Sequence, residues 1–466
     1  MSKLFLFAIG GTGSRVMRSL SILMASGVKL DVDEIVPVFI DPDASNADLT
    51  RTITLLQNYV TVSSRQSFPA GNNSRFFRTR IVEALPSFTL RVRDTDDRTF
   101  GRFINYASMS RADKAMTRML FSDKNLSASM EVGFKGNPNI GSVVLNQIAT
   151  SPDFATLMSR FETGDRIFII SSIFGGTGAS GFPLLLKTLR STQGFPNFGL
   201  VNTAAIGALT VLPYFTVFRD DNSEIDSATF ISKTRSALAY YENNISRSGD
   251  VNALYFLGDE MSKVYDNHEG GASQQNDAHL IEFLGATAIV DFINRVDGSM
   301  HVSKELGLKD LEGSVTFDSF YDDMRGELYN PLVQFSLLAN AVLDNLNYFG
   351  SDTFDANSSK KGNFGGIYTS RFMSGLKEVA RQYRRWLLEI RGNSRSLDLF
   401  NPEPGMRPFD LINGVAPRRV MSLSSDYALI ATRLNGAVSK TVSREKESRW
   451  LEMWWRATER LVAEKL

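Results

Sequence analysis

The chain contains no cysteine. This excludes disulfides, zinc–thiolate centres and cysteine nucleophiles, and it fits a reducing compartment. Histidine is scarce. Only His268, His279 and His301 are present, and their spacing makes no metal-ligand pattern. Net charge is also missing, with 51 Lys+Arg against 51 Asp+Glu. A balanced chain gives no sign of a general nucleic-acid binder or a membrane-surface protein, so no nucleic-acid partner is expected. No stretch reaches the ~18 apolar residues that span a bilayer, so no transmembrane segment is expected. The short apolar run in MSKLFLFAIGG ends in a glycine turn and reads as a first strand, not a signal peptide. A cytoplasmic location is therefore expected.

The 466 residues, 43% of them hydrophobic, are enough for two or three domains with a large core. Apolar runs rich in β-branched residues recur at Lys3 to Ile9, Glu34 to Ile40, Arg166 to Ile173, Ala204 to Leu212 and Ala253 to Leu257. Helical patterns separate them, at Arg15 to Ala25, Ala44 to Asn58, Ser142 to Ala149, Asp226 to Asn243 and Asn276 to Asn294. The last of these is apolar on nearly all sides. Such alternation predicts an α/β fold with a mainly parallel sheet flanked by helices, and ligands of such sheets bind at the carboxyl ends of the strands. After residue 300 the pattern becomes largely helical, at Asn330 to Leu346, Ser374 to Ile390 and Ser443 to Leu466. Gly313 to Phe317, Arg419 to Leu423 and Tyr427 to Thr432 read as short strand-like pieces, and Ser351 to Gly366 as a polar loop. The expected division is a nucleotide-binding domain over 1–295 with an insertion at about 57–127 and a central helix at about 276–294. A second domain covers 296–435, and an amphipathic helix covers 436–466.

Three glycine-rich turns fall at strand ends or helix starts. The first is Gly10-Gly11-Thr12-Gly13, the second Gly136-Asn137-Pro138-Asn139-Ile140-Gly141, and the third Gly175-Gly176-Thr177-Gly178. Glycine lets backbone N–H groups approach a ligand, and a helix start presents them to an anion. Each turn is either a phosphate cradle or a plain tight turn. Lys135 either offsets phosphate charge or points to solvent. Asp41 and Asp43, after the second strand, either face a ribose, a magnesium ion or a bound water, or serve as a helix N-cap. A dinucleotide-dependent oxidoreductase would also open on such a first turn, but Val16 stands where that fingerprint needs its third glycine. A Walker lysine motif is also missing, which disfavours a P-loop enzyme. Arginines 75, 78, 80, 91, 93, 102, 111 and 118 interleave with Asp94, Asp96, Asp97 and Asp113. That segment reads as a solvated, salt-bridged helical insertion, with a partner-binding face as the alternative. Trp450, Met453, Trp454, Ala457 and Leu461 form one stripe of the last helix, either core or a protein partner's seat.

Taken in order, these loops resemble the tubulin/FtsZ superfamily, and more closely its divergent bacterial tubulin-like branch. The resemblance covers roughly residues 1–325. Gly-Asn-Pro-Asn-Ile-Gly is similar to that family's γ-phosphate-sensing loop, and Gly175 to Gly178 to the core of its signature. Phe174 and Ser180 replace the signature's flanking glycines. The resemblance implies a cytoskeletal GTPase that binds GTP or GDP with Mg2+ and self-associates into oligomers or filaments, a neighbouring subunit completing hydrolysis. It implies nucleotide contacts at Gly10, Gly11, Thr12, Gly13, Asp41, Asp43, Gly136, Asn137, Gly175, Gly176, Thr177, Gly178, Asp259, Asn276 and His279, and no protein metal-ligand set. It places the catalytic acids at Asp318, Asp322 and Asp323, a segment that reads equally as an acidic helix start. The alternative function is a nucleotide-binding scaffold without polymerisation or efficient hydrolysis.

Overall fold

Lys3–Ile9 (β1), Glu34–Ile40 (β2) and Arg166–Ser172 (β4) each bury every residue after the first. Runs such as Leu-Phe-Leu-Phe-Ala-Ile have no polar face, so the strands must be covered on both sides, as in a parallel α/β sheet. The computed structural model describes residues 2–66, 75–95, 98–131, 133–134, 136–218, 228–266, 270–296, 313–351, 353–358, 360–415, 417–418 and 425–466. His268, His301, Asp96, Asp97, Lys135 and Arg419 to Leu423 lie outside them. With Arg80–Ile81 (β3), Ile206–Val211 (β5) and Ala253–Leu257 (β7), these strands form one six-stranded sheet of order β3-β2-β1-β4-β5-β7. All its pairings are parallel. Phe215–Val217 (β6) and Lys263–Tyr265 (β8) pair separately.

The chain lays β2 and β3 on one side of β1, then crosses to build β4, β5 and β7 on the other. The loops after β1 and β4 therefore leave in opposite directions, and the gap between them is where α/β sheets hold ligands. Gly10–Ser26 (α1), Ala47–Ser63 (α2) and Leu280–Arg295 (α6) pack together. Pro138–Leu145 (α3) packs on Gly176–Ser191 (α4). Ala228–Tyr241 (α5) follows β6. The approach of α6 is close because Gly285 has no side chain: a Cβ there would lie 2.8 Å from Leu209 and 3.1 Å from Val16.

Beyond residue 313 the described chain is helical. Asp322–Asp344 (α7), Arg371–Arg391 (α8), Asp426–Ala437 (α9) and Lys446–Lys465 (α10) are its main elements. Tyr427 to Thr432 is part of α9 and not a strand. Ser425 caps that helix, and Ile430, Leu434 and Ala437 bury one face at helical spacing. Val315 makes only an isolated bridge to Leu397. The Trp450, Met453, Trp454, Ala457 and Leu461 stripe of α10 is buried, with Trp454 edge-on to Phe349 at 5.2 Å. The Arg-rich insertion carries short helices at Phe100–Phe103, Arg111–Leu120 and Asp123–Ser127, and its Arg98–Asp94 and Arg118–Asp123 pairs are exposed. No helix among the described residues is long and apolar enough to cross a membrane.

Candidate functional site

The glycine turns are not separate from their helices but form the first turns. α1 starts at Gly10 and α4 at Gly176, each several residues before its first apolar side chain. None of α1, α3 and α4 has a side-chain cap on its first N–H groups. An α-helix leaves its first N–H groups without intrahelical partners, so a start with no side-chain cap offers donors to an anion.

The fold brings these three starts together. A Cβ on Gly10 would lie 3.6 Å from Thr177 Cβ and 3.8 Å from the Gly178 nitrogen. A Cβ on Gly176 would lie 3.1 Å from the backbone nitrogens of both Gly136 and Asn137. On Gly133 it would sit 3.9 Å from Thr177 Oγ1. Thr177 thus stands where the loops meet. Gly10 and Gly136 have positive φ, +70° and +73°, which side chains rarely adopt, so these two loops depend on glycine. Lys233 of α5 donates to the Gly136 carbonyl at 2.9 Å.

Asp41 leaves β2 beside Gly10, since Ile40 pairs with Ile9 across the ladder. Its carboxyl is buried and accepts from the Asp43 backbone N–H. Burial pushes it up to about 7. Between its unfolded value and 7 the folded state holds the extra proton, so this group's contribution to stability falls as pH rises through that window. Asp41→Asn keeps the acceptor and removes the charge. It is expected to stabilise the ligand-free protein by ~1–3 kcal/mol at pH 8 and hardly at all at pH 4, as read by urea unfolding. Equal effects at both pH values would contradict the buried carboxyl. His279 acts in the opposite sense. Burial lowers it to about 4, so stability is lost as pH falls from its unfolded value toward 4.

Most of the remaining sequence-predicted side chains already have partners. Asp43 accepts from Ser45 and, at 2.6 Å, from the Gly271 N–H. His279 is the N-cap of α6: its Nδ1 accepts from the Ile281 N–H, and Glu282 closes a capping box. Asn276 donates through its backbone and its amide to Asp48. Asp259 accepts from Arg395 at 2.6 Å and from the Glu260 N–H. Asp318 pairs with Arg325 at 2.8 Å and is 67% exposed. Asp322 and Asp323 lie in the first turn of α7. Their segment packs on α6 through Phe320 against Phe283, ring centroids 5.8 Å apart.

Sequence reasoning missed the charged centre beside the first loop. Arg15 is 4% exposed. Its Nε donates to Glu282 at 2.6 Å, Nη1 to Asp48 at 2.8 Å, and Nη2 to Tyr214 at 2.8 Å and to Thr12 at 3.3 Å. Burial alone would depress the guanidinium, but the Glu282 and Asp48 carboxylates beside it outweigh that and hold it charged. Arg51 pairs with Asp48 and Glu389, and Arg18 pairs with Glu389. Burial would raise the Glu389 carboxyl, and the two arginines overcome this and hold it below the ordinary range. A readable signal existed. Glu282 is one of only two acids in the otherwise apolar LIEFLGATAIVDFINR, and an isolated acid in an all-round apolar helix needs a buried cation.

Among the described residues no group of three or more His, Asp or Glu side chains forms a metal site. Magnesium on a nucleotide needs only one or two carboxylates besides phosphate oxygens, and Asp41 fits that requirement. A cleft of about 650 Å³ opens at the opposite, amino-terminal end of the strands, lined by Asp31, Thr163, Arg166 and Asn294 among others. Arg166 there is spent on the Ile293 and Val296 carbonyls, so the converging backbone donors at the carboxyl end are the stronger site. Comparison with protein-family models, curated proteins and solved structures found no match.

Proposed function

We propose that this chain is a GTP-binding protein of tubulin/FtsZ type that self-associates, with hydrolysis completed by a neighbouring copy. The observation that carries this is the meeting of three helix starts lacking side-chain caps at the switch point of a parallel sheet. Backbone N–H groups of Gly10 to Gly13, Gly136 and Gly175 to Gly178 cradle the phosphates, and Thr177 adds a hydroxyl where the loops meet. Asp41 would hold a magnesium ion, which would supply charge neutralisation on the phosphate oxygens. In the assembled protein Asp318, Asp322 and Asp323 of the next copy orient the attacking water. Such a site works by position and electrostatics and needs no covalent intermediate.

Turnover of GTP with magnesium is expected to rise more steeply than linearly with protein concentration, because each site is completed by another copy. Substitution of Asp318, Asp322 or Asp323 by Asn is expected to lower it, at least one of them by ~100-fold. Electron microscopy under the same conditions reads the assembly directly. The pairing of Asp318 with Arg325 favours one other reading, a nucleotide-binding scaffold without efficient hydrolysis. Bound nucleotide with no turnover at any concentration selects that reading. Failure to bind any nucleotide rejects both.

A further inference from the structure

We infer that the insertion's helix Arg111–Leu120 is a docking seat for a second copy of this chain, and that it receives the acidic start of that copy's α7. The inference rests on the reading of the protein as self-associating and names the surfaces on which copies meet. The helix, RADKAMTRML, is amphipathic but turned outward. Met116, Met119 and Leu120 are 64%, 86% and 70% exposed, the three most exposed large hydrophobic side chains among the described residues. Their i, i+3, i+4 spacing sets them in one stripe. Thr117, outside that stripe, is the one buried residue of the helix. A helix that serves only its own monomer turns its apolar stripe to the core, so an outward stripe marks a surface that a partner covers.

Charge decides what covers it. Arg111, Lys114 and Arg118 run along one edge of the stripe. The helix's only acid, Asp113, accepts from the N-cap Ser110 hydroxyl at 2.7 Å. Two such helices packed on each other about a two-fold axis would set like charges side by side. A lipid surface is poorly matched too, because three large apolar side chains on one short helix give it little area to bury. The chain itself carries the complement. Tyr321 is 54% exposed. Asp318, Asp322 and Asp323 flank it at the start of α7, and all three are exposed. Tyr321 on the stripe, with the acids against the basic edge, matches both surfaces. The location agrees. Phe121, directly after the helix, packs on Phe100 with ring centroids 4.7 Å apart. A few residues further on, Asn125 donates its amide to Asn137 Oδ1 in the second glycine turn at 3.4 Å. A copy seated on the helix therefore brings its α7 acids toward the rim of the phosphate cradle. The two surfaces differ, so the contact is heterologous and repeats from copy to copy.

The chain lacks cysteine, so introduced thiols report the contact. The full chain, with GTP and magnesium, is treated with a short bis-maleimide. Met119→Cys and Tyr321→Cys in one chain are expected to give a ladder of dimers, trimers and higher multiples, and neither substitution alone is expected to do so. Dimers from Met119→Cys alone would show the helix packed on itself and overturn the inference. Sedimentation at increasing protein concentration supplies the second reading. Met119→Glu is expected to raise the concentration needed for association by ~10-fold or more, with GTP affinity unchanged. Arg111→Glu with Arg118→Glu should also weaken association, and adding Asp322→Lys and Asp323→Lys to that chain should recover most of the loss. Association of Met119→Glu equal to wild type overturns the inference and leaves self-association standing. If wild type binds GTP and does not associate at any concentration, the reading of self-association fails and the inference with it. Flotation of wild type with phosphatidylserine vesicles that Met119→Glu abolishes, with association unchanged, would assign the stripe to lipid instead.

Discussion

Replacement of Arg15 by methionine is expected to destabilise the protein by about 3–5 kcal/mol at pH 7, because it leaves buried carboxylates without their cation. Asp48 and Glu282 are 0% and 1% exposed and lie 2.8 and 2.6 Å from the guanidinium. Burial already pushes the Glu282 carboxyl above its ordinary value even with Arg15 beside it. Without Arg15 it rises further. A folded carboxyl raised above its unfolded value costs stability at higher pH and costs nothing once both states are protonated. The deficit should therefore be largest at pH 7–8, shrink as pH falls from the raised folded value toward the ordinary glutamate value, and be lost below it. Urea unfolding of the wild type and Arg15→Met at several pH values measures it. Adding Asp48→Asn and Glu282→Gln to the methionine variant should recover most of the loss, since replacing a whole buried ion cluster is far cheaper than breaking it. A deficit below ~1 kcal/mol, or one that does not change with pH, would mean that the centre is not the buried charge cluster described.

Gly178→Ala is expected to abolish phosphate binding, by ~100-fold or more, and to cost about 1–3 kcal/mol of stability. A Cβ there would lie 2.6 Å from the Ser172 carbonyl oxygen and 2.7 Å from its nitrogen. Both are backbone atoms at the end of a central strand, so the helix start must retreat and carry its N–H groups away from the cradle. Gly326 in α7 gives the control. A Cβ there meets nothing within 4 Å, so Gly326→Ala should stabilise the protein by ~0.5–1 kcal/mol through helix propensity alone. The two substitutions are chemically identical and should have opposite signs. Unfolding midpoints and tripolyphosphate affinity of both variants decide the matter. Undiminished binding by Gly178→Ala would remove α4 from the cradle.

Much of this architecture was legible one segment at a time. The sequence by itself determined the strands of the main sheet other than β3, because runs such as RIFIIS or EIVPVFI can only be buried, and burial on both faces means a parallel sheet. It also marked the glycine turns, because glycine at a strand–helix junction signals close backbone approach. It identified α6 as a helix apolar all round, and it marked the Trp450 to Leu461 stripe as either core or a partner's seat, which the burial of those side chains decides in favour of core. It misplaced elements where local pattern is ambiguous. Tyr427 to Thr432 has strand-like composition, yet Ser425 and the burial of Ile430, Leu434 and Ala437 make it helix.

Only the tertiary structure decided which glycine turns meet. Gly10, Gly136 and Gly176 are separated by many residues, and strand order alone brings them together. Only it showed that the polar residues near the crevice are divided between helix caps and internal pairs. The reason is physical. Pairing partners such as Arg15 and Glu282 lie 267 residues apart, and no periodicity records which distant charge a buried charge will meet. Sequence pattern reports what each segment must bury. Which groups are left free to bind something else is decided by packing.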